Sequence, residues 1–196
     1  MAARDTQDPR LQLEPPNMRA YWLLLVLVVA LPLGLVLVLP VAGGDVATGD
    51  PVRAKLYAAL GVGAVLLAVS GLLGAMMRRH RLVHDAAGIE LATTFYGRRL
   101  AWPDLRLDEA RVLSLGERTE VKPVFKSNGM SLPGFRSGWF RSRALERMLV
   151  ATAGGDRVLW IPTTRGYSLL LQPRNPRAAL ERLRELAAMA PAVRAR

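Results

Sequence analysis

At 196 residues, 51% of them hydrophobic, the chain has room for one ordinary domain plus further segments. It contains no cysteine, which excludes disulfides, thiolate metal ligands and thiol nucleophiles. Residues 1 to 77 carry five basic and five acidic side chains and residues 78 to 196 carry 22 and 11, so the net charge of +11 belongs entirely to the C-terminal part and suits an anionic membrane surface or nucleic acid.

Taken from the start, residues 1–20 read as a short N-terminal tail with Arg4, Arg10 and Arg19. Two uncharged stretches follow, between Arg19 and Asp45 and between Lys55 and Arg78. A helix crossing a hydrocarbon core of ~30 Å needs roughly 20 apolar residues, and neither stretch has the polar face of a soluble core helix. The sequence therefore predicts transmembrane helices over 21–43 and 56–77, joined by an external loop over 44–55. A cleavable signal ending near Val41-Ala42-Gly43 is the alternative for the first stretch, whose apolar run exceeds the usual 7 to 15 or so residues. Tyr21 and Trp22 suit an interfacial belt.

The arginine-rich run Arg78, Arg79 and Arg81 closes the second stretch, whereas the loop charges Asp45, Asp50, Arg53 and Lys55 cancel. Positive residues stay on the cytoplasmic side, so both termini are expected there, with the protein in the inner (plasma) membrane. Small residues recur along the second stretch, at Ala59, Gly63 and Ala64, Ala68 and Gly71, and Ala75, and permit close helix approach. That line serves either the first helix or a second copy of the chain, which makes a homo-oligomer one option.

Beyond Arg81 the texture changes to short β-branched and aromatic runs separated by turn signals, a strand pattern. The expected strands are Leu82–His84, Ile89–Tyr96, Arg98–Trp102, Ala110–Leu115, Trp139–Arg143, Glu146–Thr152, Arg157–Pro162 and Tyr167–Leu171. Turns at AGGD and TTRG suggest hairpins, hence an antiparallel, partly closed sheet. Pro123, Gly129, Pro133, Gly134 and Gly138 break the pattern, so 116–138 reads as a long loop holding at most one short strand. Asn175-Pro176 starts a closing amphipathic helix with a stripe at Leu180, Leu183 and Leu186 or Ala187, and 191–196 form a short tail.

Several antiparallel strands followed by one amphipathic helix is the order of elements in a pleckstrin homology (PH) fold. The stretch from Leu132 to Arg184 resembles the bacterial PH-like domains attached to short transmembrane hairpins, through Gly134, Arg136, Gly138-Trp139-Phe140, Ile161 to Thr163, Gly166-Tyr167 and the Asn-Pro helix start. The resemblance covers about 82–190, within a domain of 78–190. It implies a binding module and is poor in information about activity. Relatives often place an Asn-Gly style turn after the WFR strand, where this chain has Ser142 to Leu145.

The sequence holds no GxSxG elbow and no GxxxxGK phosphate loop. His80 and His84 are spaced to share a metal on a helix, but the region reads as a helix end entering a strand, with no third ligand beyond Asp85. Asp104, Asp108 and Glu109, and Glu117 with Glu120, read as surface charge, and Trp102, Trp139 and Trp160 as sheet packing. No cofactor and no catalytic set is expected. The candidate contact residues are Lys122, Lys126 and Arg136 in the long loop, with Arg141 and Arg143 beyond it. They suit anionic lipid headgroups or an unidentified protein partner, with nucleic acid the weaker option because the domain is tethered to a bilayer, and a plain solvated loop is the alternative. An accessory subunit of a membrane enzyme is the competing class.

Overall fold

The computed structural model describes residues 8–38 and 51–190, and these fall into two compact units. One holds Met18–Met76, and the other joins the segment up to Asn17 with everything from Met77 onward.

The helical unit corrects the expectation of two transmembrane helices. One described helix is long and apolar enough to cross a membrane, over Leu56–Met77 within α3 (Pro51–Met77). The region before it is broken into α1 (Met18–Leu25), a π-helical turn (Val26–Ala30) and α2 (Leu31–Val38). Its apolar helical stretch runs Tyr21–Leu35, which at ~1.5 Å per residue falls short of a ~30 Å core. The break has a local cause. Pro32 has no N–H to give its turn, and Leu31 N–H reaches back to the carbonyl of Val26 instead. The rest of the expected first span and the external loop up to Asp50 lie outside the described residues.

On α3 the buried positions Ala59, Gly63, Ser70 and Gly74 form one narrow line. Gly74 carries the Tyr21 ring against it and accepts from the Tyr21 hydroxyl at 3.4 Å, and Leu33 lies beside Gly63. Ala68, Gly71 and Ala75 of the expected small-residue line are exposed. Leu56, Tyr57, Leu60, Val65, Leu67 and Leu72 are more than half exposed, an apolar surface that no described side chain covers.

The second unit is mainly β. Strands β1 (Arg81–His84), β2 (Gly88–Ala92) and β3 (Gly97–Ala101) form an antiparallel meander. A six-stranded sheet contains β4 (Arg111–Ser114), β5 (Pro123–Leu132), β6 (Phe135–Ser142), β7 (Arg147–Thr152), β8 (Arg157–Pro162) and β9 (Ser168–Leu171), in the order β4-β8-β9-β7-β6-β5. The helix α4 (Pro176–Met189) closes the chain of elements, with the Asn175 side chain accepting from Ala178 N–H as its cap.

Two expectations fail in this sheet. It is mixed rather than antiparallel, because β9 inserts between β7 and β8 and runs parallel to β7. The AGGD segment is consequently no hairpin turn; it passes over the end of β9. Gln172, the residue after β9, supports that passage: its Oε1 accepts from Ala153 N–H at 2.9 Å and Gly155 N–H at 3.1 Å, two donors the interrupted ladder would otherwise leave unmet. Nor is 116–138 a long loop. Its middle is the ten-residue strand β5, which pairs with β6 through a tight turn at Pro133-Gly134, and its last residues begin β6. Gly129 stands opposite Gly138, and a Cβ at either would fall within 3 Å of the facing backbone, so these glycines record close strand approach.

Alternation distributes the core over both faces of the central strands. Trp139, Leu149, Ala151, Leu159, Ile161, Leu169 and Leu171 join Leu82, Ile89, Leu91 and Leu100 of the meander and Ala179, Leu180 and Leu183 of α4. Phe140, Met148, Val150, Val158 and Leu170 form a smaller cluster on the opposite face. Residues 8–14, expected as part of a plain tail, belong to the main core. Leu11 and Leu13 are buried in it, Leu13 bridges Pro173, and Gln12 and Glu14 exchange backbone hydrogen bonds with Arg174 and Gln172.

Candidate functional site

The fold brings four of the five candidate cations together in two pairs and sets Lys126 apart. Lys122 precedes β5 and Arg136 lies near the start of β6, and both line an open cleft of about 510 Å³. Its floor is glycine backbone for a steric reason. Gly154, at a φ of 90°, lies against Gly134, whose Cα would be 2.6 Å from any Cβ added there. Asp156 forms one wall. Its carboxylate accepts from Ser114 Oγ at 2.6 Å and Gly116 N–H at 2.8 Å; these bonds, the serine first, hold it below the ordinary carboxylate range. An ionised Asp156 offsets part of the Lys122 and Arg136 charge in this cleft.

Arg141 and Arg143 stand at the far end of the β5–β6–β7 ribbon. Arg141 is paired in register with Phe125 of β5 on one side and with Arg147 of β7 on the other. Lys126 falls opposite Phe140 and so points, by strand alternation, to the other face. Arg143 occupies the turn that joins β6 to β7, where Leu145 takes a φ of 63°. That left-handed position is the one an Asn-Gly style turn would fill.

Behind Arg141 and Arg147 the sheet presents a stacked arrangement. The Arg147 guanidinium sits 4.2 Å from the Trp139 ring centre, Arg98 lies 5.8 Å from it, and Tyr167 meets its edge at 5.0 Å. Trp139 is a packing residue, as expected, and also a platform for two exposed cations. Reading the sequence alone missed Arg98, Arg147 and Leu145. The signal for Arg147 was available in part: a turn after WFRS fixes Arg141 opposite Arg147, once the turn length is known.

The histidines occupy different environments. His80 is half-buried, stacks on Phe135 at 4.9 Å between ring centres, and its Nε2 lies 2.7 Å from Ser137 Oγ and 3.4 Å from Thr94 Oγ1. Burial pushes its pKa down to about 4, so the ring is neutral at pH 7. Ser137 Oγ accepts from Thr94 N–H at 2.9 Å, which leaves its own proton for His80 Nε2. Ser137 itself has no exposed surface, and the pair joins the approach to β1 with β6. His84 ends β1, and the Asp85 carboxylate is occupied by Ala87 N–H, Gly88 N–H and Arg99. Asp104 pairs with Arg165 at 2.9 Å, which also holds its carboxyl low.

The arrangement offers cations and aromatic faces on open surfaces: chemistry for holding an anion or an interface. No family model, curated protein or solved structure matches this chain.

Proposed function

We propose that the protein is a membrane-anchored, PH-like binding module whose mainly-β domain works at the cytoplasmic face of the inner membrane, contacting anionic lipid headgroups or a protein partner. The observation that carries this reading is the direct covalent link between an exposed apolar helix of 22 residues and a domain that holds the whole net charge of the chain. Each basic side chain near an anionic leaflet contributes ~1 kcal/mol of attraction. The PH-like reading draws support from a strand-rich domain closed by one helix, while the parallel β7–β9 pairing departs from an all-antiparallel arrangement.

The cytoplasmic orientation is supported by Arg78, Arg79 and Arg81 immediately after α3. The docking of residues 8–14 into the domain adds a constraint. Both flanks of the helical unit, residues 8–14 and the chain from Met77 onward, belong to one folded body.

Amide hydrogen exchange on the full chain in nanodiscs tests the function. Phosphatidylcholine discs doped with phosphatidylglycerol should slow exchange in 78–190 relative to undoped discs, and added salt should reverse it. Identical exchange in both lipids removes headgroup contact, and purification of the intact protein from native membranes then identifies the protein it holds.

A further inference from the structure

The turn between β6 and β7 combines three features that are unfavourable in water. Leu145 is 61% exposed while held in a left-handed backbone conformation that glycine or asparagine would adopt more readily. Phe125 and Val124, at the adjoining end of β5, are 54% and 46% exposed. Arg141 and Arg147 stand directly opposite each other on adjacent strands, and like charges so placed repel. Among the described residues, Arg141, Arg143 and Arg147 form no ion pair; Arg141 reaches only the Leu145 carbonyl, at 3.5 Å, and Arg147 only the Trp139 face. Two carboxylates lie close by. Glu146 is in the turn itself, and Glu120, whose carbonyl accepts from Ala144 N–H, is paired with Arg118.

We infer that this turn is a membrane-docking tip: Leu145, Phe125 and Val124 enter the headgroup region of an anionic bilayer while Arg141, Arg143 and Arg147 bind lipid phosphates around them. Apolar groups ringed by arginine match the two layers of such an interface, since the hydrocarbon boundary accepts the side chains and the phosphates neutralise the collar. Guanidinium forks bind phosphate in two-point fashion, and a phosphate between Arg141 and Arg147 turns their mutual repulsion into shared attraction. The inference rests on the reading that the domain meets anionic headgroups, and it moves the contact from the cleft beside Arg136 to the other end of the β5–β6 ribbon, where Phe125 pairs with Arg141.

The absence of native cysteine makes the test direct. Single variants Leu145→Cys, Phe125→Cys and, as a control on α4, Arg177→Cys are labelled with an environment-sensitive fluorophore in the full chain, reconstituted into nanodiscs containing spin-labelled lipid quenchers. In phosphatidylglycerol-doped discs the labels at 145 and 125 should shift to the blue and be quenched, the label at 177 should not, and adding Arg141→Glu with Arg147→Glu should reduce the quenching severalfold. Quenching of equal strength in undoped phosphatidylcholine discs overturns the role of the arginines. Unquenched labels at 145 and 125 overturn the tip; if exchange still slows on anionic discs, the headgroup reading survives at another surface, and if it does not, both fall together. A blue shift without lipid quenching means that protein covers the tip, a second copy or another chain, and overturns the inference as well.

Discussion

The Asp8 carboxylate accepts a 2.6 Å hydrogen bond from Arg182 Nε, which ties the beginning of the chain to its last helix. Arg182 also holds Glu185 at 3.0 Å, and Glu185 in turn faces Arg10 at 3.8 Å, so the tail is latched to α4 by a small charge network. Burial alone would raise the Asp8 pKa. The Arg10 N–H and the Arg182 guanidinium outweigh it and hold the carboxyl below its usual value. A carboxyl depressed in the folded state stabilises above its unfolded pKa of ~3.9, and that contribution is lost as pH falls from there through the folded value. Asp8→Asn should therefore lower the urea midpoint at pH 7 by an amount equivalent to about 1 kcal/mol or less, and make no difference near pH 2.

The apolar part of the tail matters more than its charges. Leu11 is fully buried among residues of both sheets and α4. Leu11→Ala should cost about 3 kcal/mol, by lost transfer energy and the cavity left behind. A chain that starts at residue 78 lacks Leu11 and Leu13 altogether, and thermal unfolding should show it less stable than the same domain with residues 8–17 restored.

His80 should make the domain acid-sensitive. Its folded pKa of about 4 lies below the unfolded value of ~6.5, so between these limits the unfolded chain binds the proton more readily. Stability should fall as pH drops through that window, by up to about 3 kcal/mol, and should be complete in its loss near pH 4. His80→Gln, which keeps a hydrogen-bonding group toward Ser137, should flatten this slope in denaturant titrations between pH 7 and pH 4.

Leu145→Gly should separate stability from membrane contact. Removing a side chain from a left-handed position relieves a cost of about 1 kcal/mol, after the entropy that glycine brings to the unfolded chain. The variant should melt higher in detergent and yet lose the slowed amide exchange on anionic nanodiscs around Arg141–Arg147. A lower melting temperature would show that Leu145 contributes packing in the folded domain.

What the sequence discloses depends on how local the cause is. Arg157–Pro162 and the Asn175-capped α4 are readable because period, cap and turn residues act within a few positions. β5 is not, since Gly129 and Gly138 look like loop punctuation until their mutual pairing explains them. The insertion of β9 is a long-range choice, invisible to a reading that joins neighbouring strands into hairpins. The first membrane span failed on one backbone detail, the π-turn before Pro32, that hydropathy does not weigh. Of the residues in the proposed tip, Arg141 and Arg143 stand out in the sequence by charge alone. Arg147 and Leu145 need register and backbone conformation, which only the folded hairpin provides.

The place of β9 dictates an order of events during folding. It follows β7 and β8 in the chain yet supplies the hydrogen-bonding edge that each of them lacks. Until it arrives, β7 and β8 present bare edges to one another across a gap one strand wide, and the obvious local mistake is for them to zip together as a hairpin. A chain so mispaired would have to open before β9 could enter, and the native β7–β9 and β8–β9 pairings are thus linked to a non-local step. Gln172 biases the outcome, because its side chain meets Ala153 and Gly155 only when β9 is seated. Replacing it should slow refolding more than it speeds unfolding if that closure belongs to the transition state.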